Sequence, residues 1–444
     1  MTLPKPTLTF TVPSLHDGLP IDCRLYHPAS LAASPDAPAW RKHAAVFAHP
    51  YAPLGGCYDD GIVNLVASTL LNQGFLVCTF NFRGAHGSAG RTSWTAKPER
   101  ADYTSVVGFL LHYAHLIDPF RPSLRKIPIE LPDREPAADG EETSQIRIRA
   151  PTPNPQDGSE ISPVFLSGGY SYGAMITSQL PSLAAISALF DTPEYGSHAA
   201  EIRLRAQHLA ETQNTVLAAA REAAADRLRP ASPRRYVGLR VGGDEEARKS
   251  HEMRRSLSAE FEEAIRHGVH ELIARTRKVH KEKTEGPDGT AAEVPSTQKQ
   301  QPSHLPPIPD RTAFRPAYLL VSPLQGVITN LATMSFPSLS SISAKSWGRQ
   351  SAKDNELMSE ASSEEAESKL VQNPTLAIYG DDDVFVPVRK LRAWKCRLEA
   401  MQSSKFRAHE VPNAGHFWAQ GNVASTLREA VRAFASSLLE DGAG

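Results

Sequence analysis

The chain has 444 residues, of which 41% are hydrophobic and 22% charged, and a formal net charge of −1. That length fits one large α/β domain with insertions, or two domains of roughly 150 residues each; the even charge removes the electrostatic case for a nucleic-acid or anionic-membrane partner. Cys23, Cys57, Cys78 and Cys396 are scattered without C-x-x-C spacing, which suggests neither a disulfide framework nor a zinc knuckle.

Residues 1–6 have no apolar signal-like core, no apolar run is long enough to span a bilayer, and the closing Asp441-Gly442-Ala443-Gly444 is neither a peroxisomal nor a retention signal. The expectation is a soluble, cytoplasmic protein with no membrane span.

In chain order, residues 8–12 and 21–26 read as strands around the turn signal Asp17-Gly18, an antiparallel opening hairpin. Residues 44–48 form a compact apolar run of the kind buried on both faces of a parallel sheet, ending in His49-Pro50-Tyr51-Ala52-Pro53-Leu54-Gly55-Gly56. Asp59 and Asp60 are expected in the first turn of the next helix, where carboxylates suit the dipole, with Ile62, Leu65, Val66, Leu70 and Leu71 on its buried face.

A second buried strand, 75–80, runs into the glycine-bearing loop 81–90. No G-x-G-x-x-G opens there onto a helix, so no dinucleotide or other cofactor is expected. A helix is expected over 100–117. Residues 119–162 are rich in proline and charge and read as an exposed insertion.

The run 163–166 leads to Gly169-Tyr170-Ser171-Tyr172-Gly173 and then to a helix over 174–180, stopped by Pro181. Strand, Gly-x-Ser-x-Gly turn and helix is the context in which one hydroxyl is lifted above a sheet edge. Residues 182–315 follow as a long departure. One weak stripe there holds Ile202, Ala206, Leu209, Val216, Ala220 and Ala224; a better one holds Met253, Leu257, Phe261, Ile265, Leu272 and Ile273; residues 281–309 read as linker. These helices are expected to be a lid or, by slight preference, a solvated insertion away from substrate.

The sheet resumes at 318–321, a Ser- and Glu-rich stretch covers 335–367, and residues 375–379 form a strand entering Gly380-Asp381-Asp382-Asp383-Val384-Phe385-Val386-Pro387. Pro387 suits the first turn of a helix carrying Val388, Leu391, Trp394 and Leu398. Residues 408–411 lead to Gly415-His416-Phe417-Trp418, and the closing helix buries Leu427, Val431, Phe434 and Leu438. Short apolar strands alternating with helices predict a doubly wound, mostly parallel sheet with large helical and disordered insertions. In such a sheet ligands sit beyond the carboxyl ends of the strands, where His49, Ser171, Asp383 and His416 fall.

The chemistry follows from those residue types. A serine hydroxyl needs a base, and His416, in a glycine-flanked loop after the last strand, is the candidate. The base needs a carboxylate to fix its tautomer; Asp383 is the candidate, with Asp381 and Asp382 competing. An oxyanion needs backbone N–H donors: Tyr172 follows the nucleophile, and Tyr51 is chosen in the earlier loop because Pro50 has no N–H. His49 is expected to brace its loop, and Arg83 and His86 to be loop structure. Tyr51, Tyr170, Tyr172, Phe385, Phe417 and Trp418 are expected around the rim.

His49-Pro50 with Gly55-Gly56, Asn81-Phe82-Arg83-Gly84, Gly169 to Gly173, Gly380 to Pro387 and Gly415-His416 together resemble the α/β-hydrolase superfamily, and within it the dienelactone-hydrolase-like and esterase-like branch. The resemblance spans about 38–118, 163–181 and 375 to the end. It implies that fold, a Ser171–Asp383–His416 triad, hydrolysis of a carboxylic ester or thioester of a small molecule through an acyl-enzyme, and no cofactor or metal.

The expected organisation is hydrolase core over 1–118, 163–181, 316–334 and 369–444, interrupted by insertions at 119–162, 182–315 and 335–368. A non-catalytic scaffold on a hydrolase core and a biosynthetic acyltransferase remain alternative functions.

Overall fold

A computed structural model describes residues 3–32, 40–118, 162–228, 267–268, 303–324 and 363–440. The expected insertion 119–162 except for residue 162, the stripe from Met253 to Ile273 except for residues 267 and 268, and most of 281–309 and 335–367 lie outside them.

Strands β1 (Leu8–Pro13) and β2 (Pro20–Tyr26) form the antiparallel hairpin, with Leu8 opposite Leu25 and Val12 opposite Ile21. β2 also pairs antiparallel with β4 (Leu76–Phe80). The remaining strands, β3 (Ala44–Ala48), β5 (Val164–Tyr170), β6 (Arg315–Val321), β7 (Thr375–Asp382) and β8 (Phe406–Gly415), run parallel to their neighbours. The sheet order is β1-β2-β4-β3-β5-β6-β7-β8. Parallel neighbours need crossovers, and helices supply them.

Alternate residues of the central strands serve opposite faces, so the strands are apolar throughout. Ala45 and Phe47 of β3 join one core with α1 (Gly61–Asn72) and α8 (Val423–Glu440), while Ala44, Val46 and Ala48 join the other with α2 (Lys97–Leu116). A smaller cluster packs Leu370 of α6 (Ser363–Gln372) and Trp394 and Leu398 of α7 (Val388–Glu399) on Tyr318, Leu320 and Phe406. The doubly wound α/β reading holds.

Several local expectations shift. Asp60 is the N-cap of α1, its side chain accepting from the N–H groups of Ile62 and Val63, rather than a first-turn residue. α2 opens at Lys97, three residues early, because Pro98 suits a first turn where its missing N–H costs nothing. β5 runs through Gly168 and Gly169 to Tyr170, and α3 (Tyr172–Gln179) follows at once.

After α4 (Leu183–Ala188), α5 (His198–Leu228) is no solvated insertion along its first half. Ile202, Leu204, Ala206 and Leu209 are buried in the α2-side core, whereas Val216 is exposed. α6 begins inside the Ser- and Glu-rich stretch 335–367, and Pro387 caps α7 from outside rather than joining its first turn. No described helix is long and apolar enough to cross a membrane.

Candidate active site

The site begins with a backbone that one serine must strain to adopt. Ser171 has φ 56° and ψ −113°, a region costly for a residue with a Cβ. Its N–H donates to the carbonyl of Val321 at 2.8 Å, tying the turn to the end of β6. The chain folds so tightly here that a Cβ on Gly169 would lie 2.3 Å from the carbonyl carbon of Gly173, and one on Gly173 2.6 Å from the carbonyl oxygens of both Ala48 and His49. Two glycines therefore let the start of α3 press against the end of β3. From α2, the Tyr103 hydroxyl donates to the Gly168 carbonyl at 2.6 Å and fixes β5 just below the turn.

β8 brings the histidine. Pro412, which has no N–H for the ladder, and Asn413, at φ 58°, break the β7–β8 pairing between Gly380 and Asp382. Such an irregularity re-aims the side chains beyond it. Past it, the Ser171 hydroxyl lies 2.8 Å from His416 Nε2, and His416 Nδ1 lies 2.7 Å from Asp383 Oδ2. A carboxylate oxygen can only accept, so Nδ1 carries the proton and Nε2 is free to accept from the serine.

The other oxygen of Asp383 accepts from the N–H groups of Phe385 and Val386 at 2.8 and 3.0 Å, so both oxygens are held. All three residues are buried, and Tyr170, Phe385 and Phe417 pack around the imidazole, Phe385 edge-on at 4.6 Å between centroids. Of the competing aspartates, Asp381 is turned away to accept from Asn413 N–H at 2.7 Å, and Asp382 is exposed.

The loop after β3 carries Tyr51. His49, wholly buried, has Nδ1 2.5 Å from the Pro50 carbonyl and accepts at Nε2 from Phe82 N–H at 2.8 Å. Burial pulls its pKa down to about 4, so it stays neutral and braces two loops at once. The Tyr51 ring lies 5.1 Å from that of Tyr172. Tyr172 is the first residue of α3, and its N–H has no acceptor within the helix.

The loop after β4 is held by buried polar contacts. Arg83 donates to Asp102 at 2.6 and 2.9 Å and to Asp17 at 2.9 Å, and Asn81 Oδ1 accepts from Tyr58 N–H at 2.8 Å. The His86 carbonyl accepts from Asn81 Nδ2.

A cleft of about 460 Å³ opens over Ser171 and His416. Tyr51, Tyr170, Tyr172, Phe385 and Phe417 line it, as expected, but Trp418 does not. Its indole is buried, donating to Ser322 Oγ at 3.0 Å, and it packs in the core shared with α1 and α8. Missed in the sequence were Leu54, Asp60, Trp94 and Leu324, which also line the cleft. For Leu54 and Trp94 the signal was present: a large apolar side chain in a loop of small and polar residues has no core to enter. α5 contributes nothing to the lining. No group of three or more His, Cys, Asp or Glu able to hold a metal occurs among the described residues.

Comparison with known proteins agrees with this architecture in part of the chain. Residues 317–442 match the prolyl oligopeptidase family. No curated protein matches the chain. Similar solved structures include an α/β serine hydrolase homologue from Coxiella burnetii, at 12% identity and TM-score 0.39, over 97% of this chain and 99% of that one. Another is a member of the α/β serine hydrolases without a lid from Xanthomonas campestris, at 13% identity and TM-score 0.39, over 99% and 97%. A third is an esterase from Pyrococcus furiosus, at 9% identity and TM-score 0.40, over 97% and 92%. Likenesses this distant carry no weight by themselves, and the fold rests on the strand order and on the strand–turn–helix at Ser171. By those features the chain has the α/β-hydrolase fold.

Proposed function

We propose that the protein is a serine hydrolase that cleaves a carboxylic ester or thioester through an acyl-enzyme, with Ser171 as nucleophile, His416 as base and Asp383 as its orienting carboxylate. The observation that carries this reading is the unbroken pair of hydrogen bonds from Ser171 Oγ to His416 Nε2 and from His416 Nδ1 to Asp383. In the reaction, Oγ attacks the acyl carbon as Nε2 takes its proton. The oxyanion so formed is held by the N–H groups of Tyr51 and Tyr172, and His416 returns the proton to the departing alcohol or thiol. Water, activated by the same imidazole, then releases the acid.

The fluorophosphonate test is direct. A fluorophosphonate probe should label the protein stoichiometrically, and Ser171→Ala should abolish labelling. A folded protein that takes no label would favour a non-catalytic scaffold. Acyl p-nitrophenyl esters and thioesters of graded chain length, set beside a peptide p-nitroanilide, should then show faster turnover of the esters. The nitroanilide bears on the similarity of residues 317–442 to a peptidase family. Acyl transfer would appear as products formed only when a second acceptor is added.

A further inference from the structure

The cleft over Ser171 combines features that a purely apolar substrate does not require. Six aromatic side chains line it: Tyr51, Trp94, Tyr170, Tyr172, Phe385 and Phe417. Trp94 and Phe417 are 67% and 62% exposed, large rings left at the mouth with no core around them. Among the described lining residues there is no Lys or Arg, and the carboxylates are represented by Asp60 alone.

Asp60 is more than a helix cap. Its Oδ1 accepts both cap bonds, at 2.8 and 3.3 Å, and Oδ2 has no hydrogen bond among the described residues. No described cation pairs with it either. An asparagine would cap α1 as well, so capping does not account for the charge. Burial holds this carboxyl above the usual aspartate range, opposed by the two N–H donors; a negative charge disfavoured by its surroundings gains most from a positive ligand.

Resting on the hydrolase reading for its substrate but not for its binding, we propose that the cleft recognises an alkylammonium group. The occupant would be an ester whose acyl or alcohol part carries a quaternary or protonated amine, seated against the aromatic faces with its charge opposite Asp60. Electron-rich ring faces attract such cations, and a carboxylate at one end orients them. The same arrangement disfavours a substrate with a carboxylate or phosphate near the scissile bond, because no described lining residue would neutralise it.

The test uses the full chain, with choline as the cationic probe and 3,3-dimethylbutan-1-ol as its uncharged isostere, each titrated by ligand-observed NMR. Choline should bind about tenfold or more tightly than the isostere. Asp60→Asn, which keeps the cap, should bring the two affinities together, and Trp94→Ala should weaken choline binding while thermal unfolding stays unchanged. Equal or weaker binding of choline, or a preference that survives in Asp60→Asn, overturns the proposal. A protein that ignores fluorophosphonate but prefers choline over the isostere would refute the hydrolase reading alone.

Discussion

The hydroxyl of Tyr170 donates a 2.8 Å hydrogen bond to the backbone carbonyl of His416, so the residue before the serine also holds the loop that carries the imidazole. The contact joins the ends of β5 and β8 and is buried. Tyr170→Phe should remove one buried bond worth about 1 kcal/mol. Fluorophosphonate labelling should slow several-fold while thermal unfolding moves little. An unchanged labelling rate would mean that Phe385 and Phe417, packed on the ring, suffice to position it.

Asp383→Asn has an outcome that the surrounding backbone dictates. The N–H groups of Phe385 and Val386 require an oxygen where Oδ1 now sits, so the amide nitrogen must face His416. Nδ1 would then have to accept, the proton would move to Nε2, and the serine would lose the base proposed for it. Turnover should drop by up to about ten-thousandfold with the protein still folded. Retained activity would transfer the carboxylate role to another residue.

Lys369 predicts a pH dependence of stability. Its ammonium is buried at the far end of α3, donating to the carbonyls of Thr177 and Leu180, and burial lowers its pKa to about 7. The folded pKa lies below that of the unfolded chain. Below about pH 7 both states hold the proton and the folded state bears the full penalty of a buried charge. Between pH 7 and the ordinary lysine range only the unfolded state keeps it, so this residue makes stability rise with pH there. Urea unfolding from pH 6.5 to 9.5 should register that rise, at about those values, and Lys369→Met should flatten it. An identical profile in the variant would show that the two carbonyls keep the ammonium charged throughout.

The pair of Arg83 and Asp102 should reveal itself by asymmetry. Asp102 is wholly buried and Arg83 nearly so. Asp102→Ala leaves a guanidinium with only the half-exposed Asp17 and Ser14 as partners, at a cost of about 3–5 kcal/mol. Replacing both, as Arg83→Met with Asp102→Leu, should cost less than Asp102→Ala alone in urea unfolding. A double variant less stable than the single one would assign the loop after β4 to the ion pair itself.

Much of this architecture is legible in the sequence because buried parallel strands leave a plain mark. Residues 44–48 are apolar without alternation since each face meets helices, and the observed β3 has those same ends. The turn at Ser171 was legible through Gly169 and Gly173, which fit where a Cβ would strike backbone. What escaped depended on partners remote in the chain. The early half of α5 is weakly patterned because small residues such as Ala206 and Ala210 suffice against α2. Trp418 reads as a rim aromatic until Ser322, 96 positions away, claims its N–H. Asp60 reads only as a carboxylate at the start of a helix because the cleft it lines exists only in the folded chain.

Ser171 and His416 stand 245 positions apart in the chain yet meet at 2.8 Å. A contact of such long sequence separation should form late in folding. On a ribosome the serine turn could be complete, and already strained, while the imidazole was still unsynthesised. A nascent chain would thus remain chemically silent until its final strand docked. On the proposed role of Ser171, reactivity toward fluorophosphonate would therefore time the end of folding.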